Sequence, residues 1–286
     1  MTFSDIQKLF NAVFAMKTFK CFKKRIIFFL CLLNCRQAIS DFDSIFKDLS
    51  QKGFRCERMT SGAICQVDSI QLSNSTAYSE SLGILLPSNL QALEEVIYYL
   101  HGFRDGGPCM PHQFNSIDLS KKFHLLEHLL SAGKGTSVIV FPTSKGKSET
   151  YNLQLIPNFN LIHQWLLIQL NTQPIKYRIA GHSGAGKIIS ILLSQNPKFA
   201  LNTKAALLLD ASYGIPNRLN DWKIAFQTNP NLIIYSNFIK GSATENGSIL
   251  LQKTFGKQSV VLTHARSQNH CMNPYNELED QLRISN

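Results

Sequence analysis

Lys176-Tyr-Arg-Ile-Ala-Gly-His-Ser-Gly-Ala-Gly-Lys-Ile-Ile-Ser-Ile-Leu-Leu-Ser-Gln195 decides the fold. Residues 176–180 suit a buried strand, residues 185–195 have the apolar content and length of a helix, and the turn between them is built mostly of small residues. A strand that passes through a tight turn into a helix is the repeating unit of an α/β sheet. Ser183 stands on that turn, with Gly181 two residues before it and Ala185 two residues after. Small residues at those two positions are what a nucleophile elbow requires, because the backbone is strained there and larger side chains would collide.

Outward from this unit the same alternation continues. Apolar, β-branched runs suited to buried parallel strands occupy residues 82–86, 96–100, 137–141, 205–209, 232–235 and 259–263. Helices are expected at 119–131, 161–170, 221–227 and 277–283. The pattern predicts a three-layer, doubly wound, mostly parallel sheet in one domain, and in such sheets sites lie beyond the carboxyl ends of the strands.

Four strand ends carry residues that could react. Ser183 is one. Residues 96–100 lead into His101-Gly102-Phe103-Arg104-Asp105-Gly106-Gly107, a loop whose glycines let backbone approach a substrate. Asp210 directly follows Ala-Ala-Leu-Leu-Leu, and the last strand leads into Thr263-His264-Ala-Arg-Ser-Gln-Asn-His270-Cys271. Ser183, Asp210 and His270 therefore occur in the chain order serine, acid, histidine.

With these motifs the chain resembles the α/β-hydrolase superfamily over roughly residues 82–283. The resemblance implies an ester or amide hydrolase with Ser183 as nucleophile, His270 as base and Asp210 as the acid that orients it. It also implies an oxyanion hole formed by the N–H groups of Phe103 and Gly184, supported by His101 and Gly102, with no cofactor and no metal. One departure matters. The acid of this fold usually follows the next strand, here residues 232–235, whose next acid is Glu245, at some distance in a loop containing glycine and serine; Asp210 has the tighter placement and is preferred. His264 is nearly part of its strand, so His270 is the expected base. Only about 20 residues separate Asp210 from the next strand, which leaves no room for a large cap.

Two other patterns compete. Gly181-x4-Gly186-Lys187 has phosphate-loop spacing, but Ile188 stands where a magnesium-binding hydroxyl is needed, and Ser190 is two residues too far along. An NTPase ranks behind a non-catalytic binding protein of the hydrolase fold, which is the alternative to the enzyme. His124-Leu-Leu-Glu127-His128 matches an inverted zinc-protease motif, yet it reads as the wet side of an amphipathic helix. His163 and His182 read as packing or surface residues.

The chain has 286 residues and a formal net charge of +10. Residues 1–40 hold seven basic residues against the single acid Asp5, so the rest carries only +4 without a basic run, and no nucleic-acid partner is expected. That leader has a basic stretch at 17–25, an apolar run at 26–33 and the small residues Ala38 and Ser40 before Asp41. These are the parts of a secretory signal peptide, cut after Ser40, ahead of a single catalytic domain over 41–286. The protein is expected to be secreted or periplasmic, with membrane contact only through the leader and a small-molecule or peptide-like acyl substrate. Beyond the leader lie four cysteines, an even number that suits an oxidising compartment. Cys56 and Cys65 are close enough to staple a local turn, which leaves Cys109 with Cys271; four free buried thiols are the alternative.

Overall fold

The computed structural model describes residues 41–72, 77–78, 80–102, 116–143, 154–171 and 176–285, which form one compact unit. Among the described residues its main sheet has nine strands. An antiparallel edge of β1 (Arg55–Met59), β2 (Gly62–Val67) and β5 (Leu82–Pro87) joins a parallel run of β7 (Ser137–Pro142), β6 (Glu95–Leu100), β8 (Lys176–His182), β9 (Thr203–Leu209), β10 (Ile233–Phe238) and β11 (Val260–His264), in that spatial order. The short strands β3 (Ile70–Gln71) and β4 (Ala77–Tyr78) pair separately.

The sheet is sandwiched because its central strands are apolar on both faces. Val96, Tyr98 and Leu100 of β6 point to one layer, and Ile97 and Tyr99 to the other, as the two-residue period of a strand demands. The first layer contains α1 (Phe42–Gln51), α4 (Ile156–Gln169), α5 (Ala185–Gln195), α6 (Pro197–Asn202), α7 (Leu219–Thr228) and α8 (Ala243–Phe255). The second contains α2 (Ser116–Lys122), α3 (Leu125–Ser131) and α9 (Asn273–Ile284). At the N-terminal ends of the strands the buried Arg178 donates to Glu95 at 2.8 Å and to the Ser285 carbonyl at 2.7 Å, which ties the end of α9 to β8. No described helix is long and apolar enough to cross a membrane.

Three expectations need correction. Residues 82–86 form a strand, but it runs antiparallel to both neighbours, β2 and β7. An apolar run reports burial on both faces and not direction. The helix expected at 119–131 is two helices, broken where His124 takes a left-handed φ of 49°. The segment holding Glu245, read as a loop for its glycine and serine, is α8. Its small residues are packing devices: a Cβ on Gly247 would lie 2.0 Å from the Ser212 carbonyl oxygen, and Ser248 closes a ring of hydroxyls with Ser212 and Ser236.

Cys56 and Cys65 face each other across β1 and β2 and form the expected disulfide. The residues of the metalloprotease motif take other partners. His124 precedes α3, Glu127 accepts a hydrogen bond from Ser61 at 2.9 Å, and His128 lies 3.7 Å from Glu279. Among the described residues no group of three metal-binding side chains occurs.

Candidate active site

Ser183 closes β8 and opens the turn into α5 with φ 57°, a left-handed conformation that costs an L-residue about 1 kcal/mol or more. The turn is tight on several sides. A Cβ on Gly181 would come within 2.7 Å of Ile189 and 2.9 Å of Ala185, and one on Gly102 would lie 2.6 Å from the Ser183 Cβ. The loop that begins with His101 and Gly102 therefore abuts the serine. The position two residues after Ser183 tolerates the Ala185 methyl group; the closest approach falls one residue later, where a Cβ on Gly186 would sit 1.8 Å from the Ala211 carbonyl oxygen. This glycine is pressed against backbone rather than lining an open phosphate cradle, and the Ile188 side chain is buried in the core. Gly186→Ala is accordingly expected to destabilise the protein by about 3 kcal/mol or more, lowering Tm by several degrees in a thermal melt while leaving the sequence of the elbow otherwise intact.

Asp210 ends β9 with φ 47°, also left-handed, and its N–H donates to the Asn237 carbonyl at 2.8 Å. The Ser183 N–H donates to the Leu209 carbonyl at 3.3 Å, so the two strand ends are joined one residue before the acid. The Asp210 side chain is 1% exposed, whereas that of His270, in a short 3-10 turn after β11, is 32% exposed. One Asp210 oxygen accepts a hydrogen bond from His270 Nδ1; the other accepts from the Thr244 hydroxyl and, at 3.3 Å, from the Ile239 N–H. Burial works to raise the Asp210 pKa, but the bonds from His270, Thr244 and Ile239 outweigh it and hold the carboxyl below the ordinary range. Since a carboxylate only accepts, Nδ1 carries the proton and Nε2 is left with a lone pair. Tyr213 packs edge-on to the His270 ring, at 5.9 Å between centroids.

The residues expected to act together are thus found at carboxyl ends of the parallel strands: Ser183 after β8, Asp210 after β9 and His270 after β11. Among the described residues no hydrogen bond joins the Ser183 hydroxyl to His270, a common state of such sites before substrate binds. Gly184 is buried at the N-terminus of α5, and its N–H has no partner among the described residues. Glu245 is not near the histidine's carboxylate partner role: it accepts the Gly241 N–H at 2.6 Å in the first turn of α8. His264 is the last residue of β11. Phe103 and Cys109 lie outside the described residues. Cys271, beside the histidine, is disulfide-bonded.

Sequence reading passed over two contributors. Thr244 sits in the segment taken for a loop, and nothing in a lone threonine announces a partner 34 residues earlier. His182, which reads as a packing or surface residue, is buried, but its Nε2 lies 2.9 Å from the carbonyl oxygen of His270.

No protein-family model matches the chain, and no curated protein sequence matches it. Solved structures do. The S-formylglutathione hydrolase of Agrobacterium tumefaciens superposes with a TM-score of 0.50 at 15% identity, covering 81% of this chain and 97% of its own. The Francisella virulence factor BioJ gives 0.51 at 13% identity, covering 87% and 93%. The chain has the α/β-hydrolase fold. A fungal esterase of Rhizomucor miehei agrees, with a TM-score of 0.50 at 11% identity and coverage of 85% and 90%. In this α/β-hydrolase frame β8 leads into the turn that carries Ser183, and Asp210 follows the very next strand, β9.

Proposed function

We propose that the protein is an exported serine hydrolase that cleaves an ester or amide through an acyl-enzyme on Ser183. The observation that carries this reading is the buried Asp210 carboxylate bonded to Nδ1 of His270, on strand ends beside a serine held in a left-handed elbow. A carboxylate there fixes the imidazole tautomer and stabilises the imidazolium that forms when Nε2 takes a proton.

The reaction would run in two halves. Ser183 Oγ attacks the acyl carbon as its proton passes to His270 Nε2, and the carbonyl oxygen becomes an oxyanion facing the N–H of Gly184. Phe103 is the expected second donor. The carbonyl re-forms, the alcohol or amine leaves with the proton from His270, and the acyl group stays on Ser183. Water then attacks by the same route, its proton going to His270 and from there to Ser183 as the acid is released. No step calls for a cofactor or metal. The solved structures that the chain resembles include an S-formylglutathione hydrolase and a fungal esterase, which favours acyl transfer over a purely binding role.

Export is supported by the composition of residues 1–40 and by oxidised cysteines in the folded part. Pairing of Cys271 with Cys109 would close a loop of about 160 residues, nominally contributing about 4 to 5 kcal/mol, and would hold the base segment beside the oxyanion loop. Peptide mapping of protein made in an oxidising compartment is expected to recover Cys109 joined to Cys271 and Cys56 joined to Cys65. Recovery of Cys109 as an alkylatable thiol would refute the first pairing. The hydrolase itself is tested by a fluorophosphonate probe, which should label the full chain on Ser183; absence of labelling would favour the binding-protein alternative.

A further inference from the structure

His182 takes no part in the proton transfers proposed above, yet it is bound into the site on several sides. It is 1% exposed. Its ring packs on Phe123, which lies between α2 and α3, and sits 4.5 Å from the His270 ring, centroid to centroid. Nε2 is 2.9 Å from the His270 carbonyl oxygen. A carbonyl only accepts, so Nε2 carries the proton and donates. Nδ1 is then a bare lone pair, and it is buried without a hydrogen-bond partner among the described residues.

We propose that His182 is a positioning residue that fastens the backbone of His270 to the strand carrying Ser183, so that nucleophile and base keep their register. This rests on the reading of Ser183 and His270 given above. The base is held at two points by different residues: Asp210 holds its ring, and His182 holds its carbonyl. Two points fix the plane of the imidazole as well as its location, which one hydrogen bond to Nδ1 cannot do. Because His182 is bonded in the chain to Ser183, the second point of attachment is the elbow itself. The unpartnered Nδ1 supports the same conclusion. A ring needed only to fill space would be better supplied by phenylalanine, which buries no orphan nitrogen.

Neutrality is part of the design. Burial, followed by the neighbouring His270, pushes the His182 pKa down to about 3. When His270 becomes an imidazolium during the reaction, no second cation stands against it at 4.5 Å.

The test uses the full chain and two variants. His182→Phe keeps the ring and removes both nitrogens; His182→Gln loses the ring but carries an amide N–H to about the depth of Nε2. His182→Phe is expected to lose roughly 10-fold or more in kcat, the effect of leaving a buried acceptor unpaired, with KM little changed. His182→Gln should recover most of that loss, and the rate of fluorophosphonate labelling should follow kcat in each. A space-filling role predicts the opposite order, with Phe tolerated and Gln damaging. Wild-type kcat in His182→Phe overturns the proposal, as does a folded His182→Gln slower than His182→Phe. If His182→Phe does not give a cooperative melt, a folded His182→Gln with kcat near wild type supports the proposal and a loss of 10-fold or more overturns it. Failure of the wild-type chain itself to be labelled would overturn the hydrolase reading and this inference together, whereas normal labelling with equal variants overturns this inference alone.

Discussion

Ser183→Ala is expected to abolish fluorophosphonate labelling and to lower kcat on short p-nitrophenyl esters by on the order of 10⁶, with no fall in Tm. The size of the effect follows from what one oxygen atom does in the scheme. Without Oγ no acyl-enzyme forms, and the Asp210–His270 pair has no proton to receive; what remains is substrate binding and the oxyanion donors. Stability is spared because the side chain is half-buried, takes no part in a described hydrogen bond and sits in a backbone conformation set by its neighbours. Labelling that persists in Ser183→Ala would show that another residue is the nucleophile.

The second large effect separates the two acids. Asp210→Asn should lower kcat by on the order of 10⁴, because a neutral amide neither fixes the Nδ1–H tautomer nor stabilises the imidazolium. Glu245→Gln should leave kcat within a factor of about two, since the bond that residue makes, from the Gly241 N–H, needs only a carbonyl oxygen and Gln retains one. The hydrogen bonds that hold Asp210 below the ordinary carboxylate range keep it ionised wherever His270 can act as a base, so the contrast should hold across the working pH range. A crippled Glu245→Gln with an active Asp210→Asn would move the acid to β10 and undo the assignment.

The candidate site residues were legible because the chemistry proposed for them is tied to local pattern. The elbow announces itself in Gly181 to Gly186, and the acid and histidine follow strands whose apolar runs are plain. What the pattern hid was long-range. The direction of β5 depends on the hairpin before it, and the α8 glycine and serines, which look like loop composition, exist to let that helix press on the backbone at Ser212. That close contact brings Thr244 onto Asp210, the acid proposed here, one strand earlier than the fold's usual position. The break at His124 had no turn residue to mark it. His182 illustrates the deeper difficulty: a sequence shows that a histidine stands beside a serine, and only the fold shows that a carbonyl 88 residues away accepts its hydrogen bond.

Ser183 and Asp210 both leave their strands through left-handed backbone, at a φ where glycine would rest without strain. At Ser183, heat resistance and the proposed catalysis therefore select opposite residues. A screen that rewarded only survival at high temperature would be drawn towards glycine at position 183, recovering about 1 kcal/mol of conformational strain, and each step in that direction would erase the proposed activity. Under the proposed chemistry the strained serine is the part of the fold that selection for stability alone would have lost first.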